Sequence, residues 1–389
     1  MAFAAAFDWS HNDLRERNAS VLIGCPTEIK NNESRVALTP AGVVELVKRG
    51  HDVLVQAGAG NASGIEDSVY IEAGAQIVND AAEAWSADTV IKVKEPLAEE
   101  YGYFKRGQIL FTYLHLAAVP QAATALLEAG VTSIAYETVT GNRGLPLLAP
   151  MSEVAGRLAA QVGAYHLMRP QGGAGVLLSG VPGTAPGKVA VIGGGVVGES
   201  AARIAVGLGA QVTLLDVNLD RLRDLSAQYG SRLITMASNS YNIAQAVADA
   251  DLVIGSVLIP GAAAPKLVTH DHVLSMRDGA VLVDVAIDQG GCFADSRPTT
   301  HDEPTFMVDG KVFYCVTNMP GAVPATSTAA LTNATLPFLL SLADKGWRKA
   351  MADDPHFAAG LNTVEGKLTN TAVGEALGLE SVTPASFIS

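Results

Sequence analysis

The sequence predicts an α/β protein of two Rossmann-like, doubly wound parallel-sheet domains that face each other across a cleft. Three observations predict it. Short apolar runs of strand length alternate with helical periodicity from Val21 to about Tyr136, the alternation restarts at Lys188, and a glycine fingerprint follows the first strand of the second series. A Gly- and Pro-rich stretch, 171–188, separates the two series.

In the first series, Val21-Leu22-Ile23-Gly24 reads as a short buried strand. Thr39-Pro40 then opens a helix with a capping hydroxyl and a proline at the first helical position, and Gly50 ends it. Further strands are expected over 52–56, 89–93, 108–112 and 132–136, with a helix over 121–129. Residues 150–167 carry Ala155, Leu158, Val162 and Tyr165 at helical spacing after Pro150, a helix able to bridge the lobes. The second series has strands over 188–192, 211–215, 251–256, 280–284 and 312–316, with helices from Val196 and over 219–227. From Pro324 to Lys345 the pattern is helical, and this tail can pack back on the first lobe.

Composition bounds the partners. The chain has 389 residues, 49% hydrophobic and 17% charged, with a net charge of −13, which excludes intrinsic disorder and disfavours a nucleic-acid partner. Cys25, Cys292 and Cys315 form an odd, scattered set, arguing against a disulfide framework and for a reducing cytoplasm. Residues 1–19 read as an extension: their apolar start lacks a preceding basic region and turns polar by Asp8. No apolar run reaches the roughly 18 residues a membrane helix needs. The H-x-H of His270 and His272 lacks a third ligand and reads as a loop, so no metal site is expected.

The fingerprint carries the most chemistry. Strand Val189-Ala190-Val191-Ile192 runs into Gly193-Gly194-Gly195-Val196-Val197-Gly198 and a helix. Gly193 permits the tight turn, Gly195 lets the backbone approach a pyrophosphate, and Gly198 lets helix and strand pack closely. Asp216 ends the next strand, where a carboxylate accepts from an adenosine ribose diol and repels a 2′-phosphate, favouring NAD over NADP. Arg221 lies close enough to touch the adenosine end, or is an exposed helix arginine.

A substrate site needs polar groups across the cleft. In KNNESRVALTP, Arg35 can grip a carboxylate with its fork; the competing reading is a surface ion pair. In IKVKEP, Lys94 ends a strand and can reach a cleft, whereas Lys92 reads as solvated. His115 follows the run Ile109–Tyr113 at the carboxyl end of a strand, where α/β sheets place ligands, although a lone histidine is often structural. Asp288 lies past a strand end beside Gly290-Gly291, near the expected nicotinamide position, and Asp284 caps or pairs. Asn318-Met319-Pro320 either closes over the same ring or forms an ordinary turn.

Together, PTEIKNNESRVALTP, IKVKEP, FTYLHLA, AYETV, APMSEVAGRLAAQVGAYHL, VIGGGVVG, DLVIGSVLIPG, VDVAIDQGGCFADSRPTT and NMPGAVPATST resemble the bacterial NAD-dependent L-alanine dehydrogenases, from residue 20 to about 389. The same superfamily includes the NAD-binding alpha subunit of proton-translocating transhydrogenase, the alternative reading. Lys94 and His115 argue against that alternative. The resemblance implies that Arg35 and Lys94 bind substrate and that His115 and Asp288 are catalytic. It also implies that Ser152, Gly193, Gly195, Gly198, Asp216, Ser238, Asn318 and Met319 lie along NAD, Ser238 with an alignment uncertain by one residue. It further implies a discontinuous catalytic domain, 20–149 with 325–389, around an NAD domain at 150–324, and a homohexamer with L-alanine, pyruvate and ammonium as substrates. Leu148 and Met151 are candidates for the methyl pocket.

Overall fold

The computed structural model of the chain describes residues 20–257 and 264–388. The extension over 1–19 and the end of the VLIPG segment lie outside the described residues. Two sheets organise the molecule. The strands of the first are β1 (Leu22–Cys25), β2 (Asp52–Gln56), β3 (Gln76–Val78), β4 (Thr89–Ile91), β5 (Ile109–Thr112) and β6 (Thr132–Ala135). Those of the second are β7 (Lys188–Ile192), β8 (Gln211–Asp216), β9 (Leu233–Ala237), β10 (Leu252–Gly255), β11 (Val281–Asp284), β12 (Thr305–Val308) and β13 (Lys311–Tyr314). The chain then returns to add β14 (Leu361–Val364) and β15 (Lys367–Leu368) to the first sheet.

The orders are β15-β14-β6-β5-β4-β1-β2-β3 and β12-β13-β11-β10-β7-β8-β9. Without their antiparallel edges, both follow the Rossmann order 3-2-1-4-5-6, whose reversal leaves a crevice at the carboxyl ends of the strands beside the first. In the first sheet that crevice lies between β1 and β4, and in the second between β7 and β10.

Each sheet is buried on both faces, because successive residues point opposite ways. In the first, Ile91 and Phe111 join one core while Val90 and Leu110 join the other. In the second, Val189 and Val191 face one core, and Ala190 and Ile192 the other. The helix Ala149–His166 links the sheets: Met151 and Val154 pack in a core of the first, Ala155 and Ala159 in a core of the second. The return helix Pro324–Asp353 buries Leu331, Leu339 and Leu342 against the first sheet.

Several elements differ from the sequence reading. The antiparallel edges are hairpins with two-residue turns, Asp309-Gly310 and Glu365-Gly366, all four residues at positive φ. An Asp-Gly between apolar runs is a strong hairpin signal, so the first was legible. Strands β3 and β9 were not anticipated. His270–Ser275 is a short helix capped by the Thr269 hydroxyl, not a loop. The tail helix continues past Lys345 to Asp353, with Gly346 non-helical inside it. Among the described residues, no helix is long and apolar enough to cross a membrane.

Candidate active site

The two crevices supply the walls of one site. Arg35 follows β1 and is 3% exposed. Its Nε donates to Glu33 Oε1 at 2.7 Å, its NH2 to Glu33 Oε2 and to Asn318 Oδ1 at 2.8 Å, and its NH1 to Met151 Sδ at 3.0 Å. Burial disfavours both charges, but their pairing outweighs it: the Glu33 carboxyl is held below its ordinary range and the Arg35 guanidinium above its own. The surface-pair reading of Arg35 is therefore replaced by a buried pair. The fork expected to receive a carboxylate is occupied by Glu33. Of the five N–H groups of an arginine, the one left without a partner among the described residues is on NH1.

Lys92 and Lys94 leave β4 in different directions. Lys92 is 1% exposed, with Nζ 3.1 Å from Glu28 and 2.8 Å from Glu100, so the solvated reading is corrected. Both faces of this sheet are covered, and a lysine turned inward must be paired. Glu28 also accepts from Val93 N at 2.6 Å, bracing the strand end from which Lys94 projects. The Lys94 ammonium has no hydrogen-bond partner among the described residues. Burial and then the neighbouring Arg35 depress its pKa below the ordinary lysine value, against the pull of Glu95 and Asp288.

His115 follows β5 with its backbone in the left-handed region, φ 48°. Glu137, from the turn after β6, accepts from the His115 N–H at 2.7 Å and from that of Leu114 at 3.1 Å, holding this conformation. The imidazole Nδ1 lies 3.1 Å from Glu95 Oε2, and the ring stacks on Tyr113 at 5.8 Å. Tyr113 is itself tied to Leu147 O at 2.6 Å.

From the second sheet, Asp288 sits exposed on the turn Val285–Gln289. That loop is anchored by the fully buried Asp284, which accepts from Ala286 N and Cys292 N at 3.2 Å, Phe293 N at 3.1 Å and Ser296 Oγ at 2.6 Å. Asn318 follows β13, also left-handed at φ 58°, and its amide Nδ2 donates to Glu33 Oε2 at 2.9 Å.

Beside these groups runs a cleft of about 630 Å³, within the size range of cofactor sites. Ser152, Leu148 and Arg143 line one side; Gly193, Gly195, Asp216 and Ser238 line the other. The fingerprint geometry fits a dinucleotide. Gly193 has φ 101°, and a Cβ on Gly198 would lie 1.8 Å from Gly193 O, so neither tolerates a side chain. A Cβ on Gly195 would meet nothing within 4 Å, leaving open space before the N-terminus of helix Val196–Gly207, where a pyrophosphate can approach. Asp216 Oδ2 accepts from Gly194 N at 2.6 Å, so this carboxylate also clasps the glycine turn.

Other expected cofactor residues stand back from the cleft wall. Arg221 donates to Gly194 O at 2.7 Å and pairs with Glu199, bracing the turn from behind. Met319 is buried in a core of the second sheet, and Met151, a candidate for the methyl pocket, packs on Arg35. Sequence reasoning missed Glu33, Glu95, Glu137 and Arg143. The first three stand inside motifs that it quoted, yet their partners lie up to 285 positions away.

Comparison with known proteins agrees with this fold. Residues 24–155 match the family described as Alanine dehydrogenase/PNT, N-terminal domain, and residues 159–371 its C-terminal domain counterpart. An alanine dehydrogenase of Mycolicibacterium smegmatis is 60% identical over 370 residues, 95% of this chain and 100% of that protein. A solved L-alanine dehydrogenase superposes with a TM-score of 0.89 at 53% identity, over 92% of this chain and 99% of that one. A solved transhydrogenase from Sinorhizobium meliloti gives 0.78 at 28% identity, over 90% and 99%.

Proposed function

From the premise that this chain belongs to the alanine dehydrogenase/PNT family, we propose that it catalyses the reversible NAD-dependent oxidative deamination of L-alanine to pyruvate and ammonium. The observation that carries this reading is near-full-length identity of 60% to a curated alanine dehydrogenase, against 28% to the transhydrogenase structure. The cluster of Arg35, Lys94, His115 and Asp288 supports it, since a protein that only bound a dinucleotide would have no use for these groups.

Along the cleft, Gly193, Gly195, Ser152, Asp216 and Ser238 would hold NAD, which supplies the hydride acceptor when bound. The substrate carboxylate would dock on the NH1 edge of Arg35, displacing only the weak thioether acceptor of Met151. Because Glu33 and Asn318 already fix the guanidinium plane, little ordering is left for substrate to impose. Lys94, unpartnered and electrostatically coupled to Arg35, would stabilise negative charge developing on the C2 oxygen. His115 would exchange a proton with that oxygen. Asp288, from the opposite wall, would orient the water or receive the amine proton.

The substrate lobe would comprise 20–149 and 325–389, and the cofactor lobe 150–324, with the helix Ala149–His166 at their junction. The three cysteines are buried and unpaired, which supports a cytoplasmic location. A homohexamer follows from the family resemblance and is tested by light scattering of the purified chain.

The test is to follow NADH absorbance with the purified protein, NAD⁺ and a panel of small L-amino acids. Alanine-dependent reduction is expected, and NAD binding without turnover would overturn the reading.

A further inference from the structure

Two carboxylates hold His115, and they do different jobs. Glu137 grips the backbone N–H groups of Leu114 and His115, whereas Glu95 grips the ring at Nδ1. The Glu95 side chain is 4% exposed, while the His115 side chain remains 39% exposed. The other oxygen of Glu95 pairs with Lys30, so the carboxylate cannot swing away without breaking a second ion pair. Nε2 of His115 has no partner among the described residues.

We propose that Glu95 is the positioning residue of the catalytic centre, fixing His115 as the Nδ1–H tautomer with Nε2 presented to the substrate oxygen. An ionised carboxylate only accepts, so Nδ1 must donate, and the proton exchanged with substrate is confined to Nε2. A backbone held at positive φ together with a separately tethered ring over-determines the position of the imidazole, as expected of a group whose orientation matters chemically. Burial would raise the Glu95 pKa, but His115, Lys30 and Lys94 together hold it far below the ordinary carboxylate range, so it stays charged throughout the working pH range.

Glu95 also sits beside Lys94. The titratable and charged groups around the pair are Lys30, Lys94 and Tyr101 on the Glu95 side, Tyr113 and Glu137 on the His115 side, and Arg35 and Asp288 around Lys94. Glu95→Gln removes a negative charge that favours the Lys94 ammonium. The Lys94 titration therefore moves to lower pH.

The proposal rests on the reading of His115 as catalytic, and the experiment separates the two. Pyruvate amination is measured against pH for the wild-type enzyme, E95Q, H115Q and E95Q/H115Q, with NAD affinity measured by calorimetry. E95Q is expected to lower kcat about 10- to 100-fold, because general acid–base catalysis contributes about 10²- to 10⁴-fold and only part is lost. The pyruvate KM should stay within about threefold and NAD affinity should not change. The pH limb should shift to the acid side. On the H115Q background, E95Q should cost less than about twofold, since a residue acting through another has nothing left to act on. Wild-type kcat in H115Q would overturn the reading of His115. An impaired H115Q, with E95Q costing the same factor on both backgrounds, would overturn the role of Glu95. If H115Q is too slow to measure, the kcat of E95Q decides, and a wild-type kcat there overturns the proposal. Should E95Q not fold, E95D, with its charge kept and its reach shortened, is expected to lower kcat with the pH limb retained; wild-type kcat there would be contrary.

Discussion

Arg35 and Asn318 stand 283 positions apart in the chain and share a 2.8 Å hydrogen bond that joins the segment after β1 of one sheet to the segment after β13 of the other. Glu33 completes the knot by accepting from both. The two crevices are thereby held in register before any ligand arrives.

Removing Arg35 should separate binding from stability. Arg35→Ala leaves Glu33 buried without its cation, and breaking such a pair costs about 3 to 5 kcal/mol. The double variant with Glu33→Gln restores much of that loss in a denaturation experiment. Its KM for alanine and pyruvate should stay raised by about 100-fold, the weight of one lost charge-assisted contact in a buried site.

His115→Ala and Asp288→Ala should each lower kcat by about 10²- to 10⁴-fold and leave NAD affinity nearly unchanged. Calorimetric titration with NAD checks the second half. An equal loss of NAD affinity would make either residue structural.

Asp216→Ala should weaken NAD and admit NADP, because the carboxylate that repels a 2′-phosphate is gone. Since Asp216 also clasps Gly194 N, Asp216→Asn, which keeps an acceptor, is expected to retain more NAD affinity than the alanine variant. Paired NAD and NADP kinetics on both variants measure this.

Lys94 makes a prediction about pH with a definite sign. Its folded pKa lies below the ordinary value, so protonation is penalised in the folded state. The penalty is full below the folded pKa and fades as pH rises towards the unfolded value of about 10.4. Lys94→Met should therefore melt higher than the parent at neutral pH, and the difference in Tm should shrink as the solution becomes alkaline. In the parent, pyruvate KM should begin to rise at a lower pH than an ordinary lysine would dictate.

Lys92→Met tests the corrected reading of its neighbour. It strands Glu28 and Glu100 in the interior and should destabilise the protein by about 3 to 5 kcal/mol. A solvated lysine would cost less than about 0.5 kcal/mol.

The strands that carry the site were legible because each is a mostly apolar run that stops at a glycine or a polar group: Ile192 before Gly193, Leu114 before His115, Val283 before Asp284. The fingerprint was legible because glycine spacing reports a backbone requirement directly. Glu33, Glu95 and Glu137 were not, because a carboxylate acquires its role only from a partner brought by the sheet order. Lys92 was misread for a related reason: a local pattern does not tell that both faces of the sheet are covered. Of the edge hairpins, Asp309-Gly310 carries a local turn signal and Glu365-Gly366 does not.

The most direct test of the proposed chemistry uses L-alanine deuterated at Cα. If Arg35 and Lys94 hold the substrate with Cα facing the cleft beside Gly195, each turnover delivers one deuteride to the nicotinamide C4, and mass spectrometry finds singly deuterated NADH. Unlabelled NADH, or no alanine-dependent turnover, would contradict it.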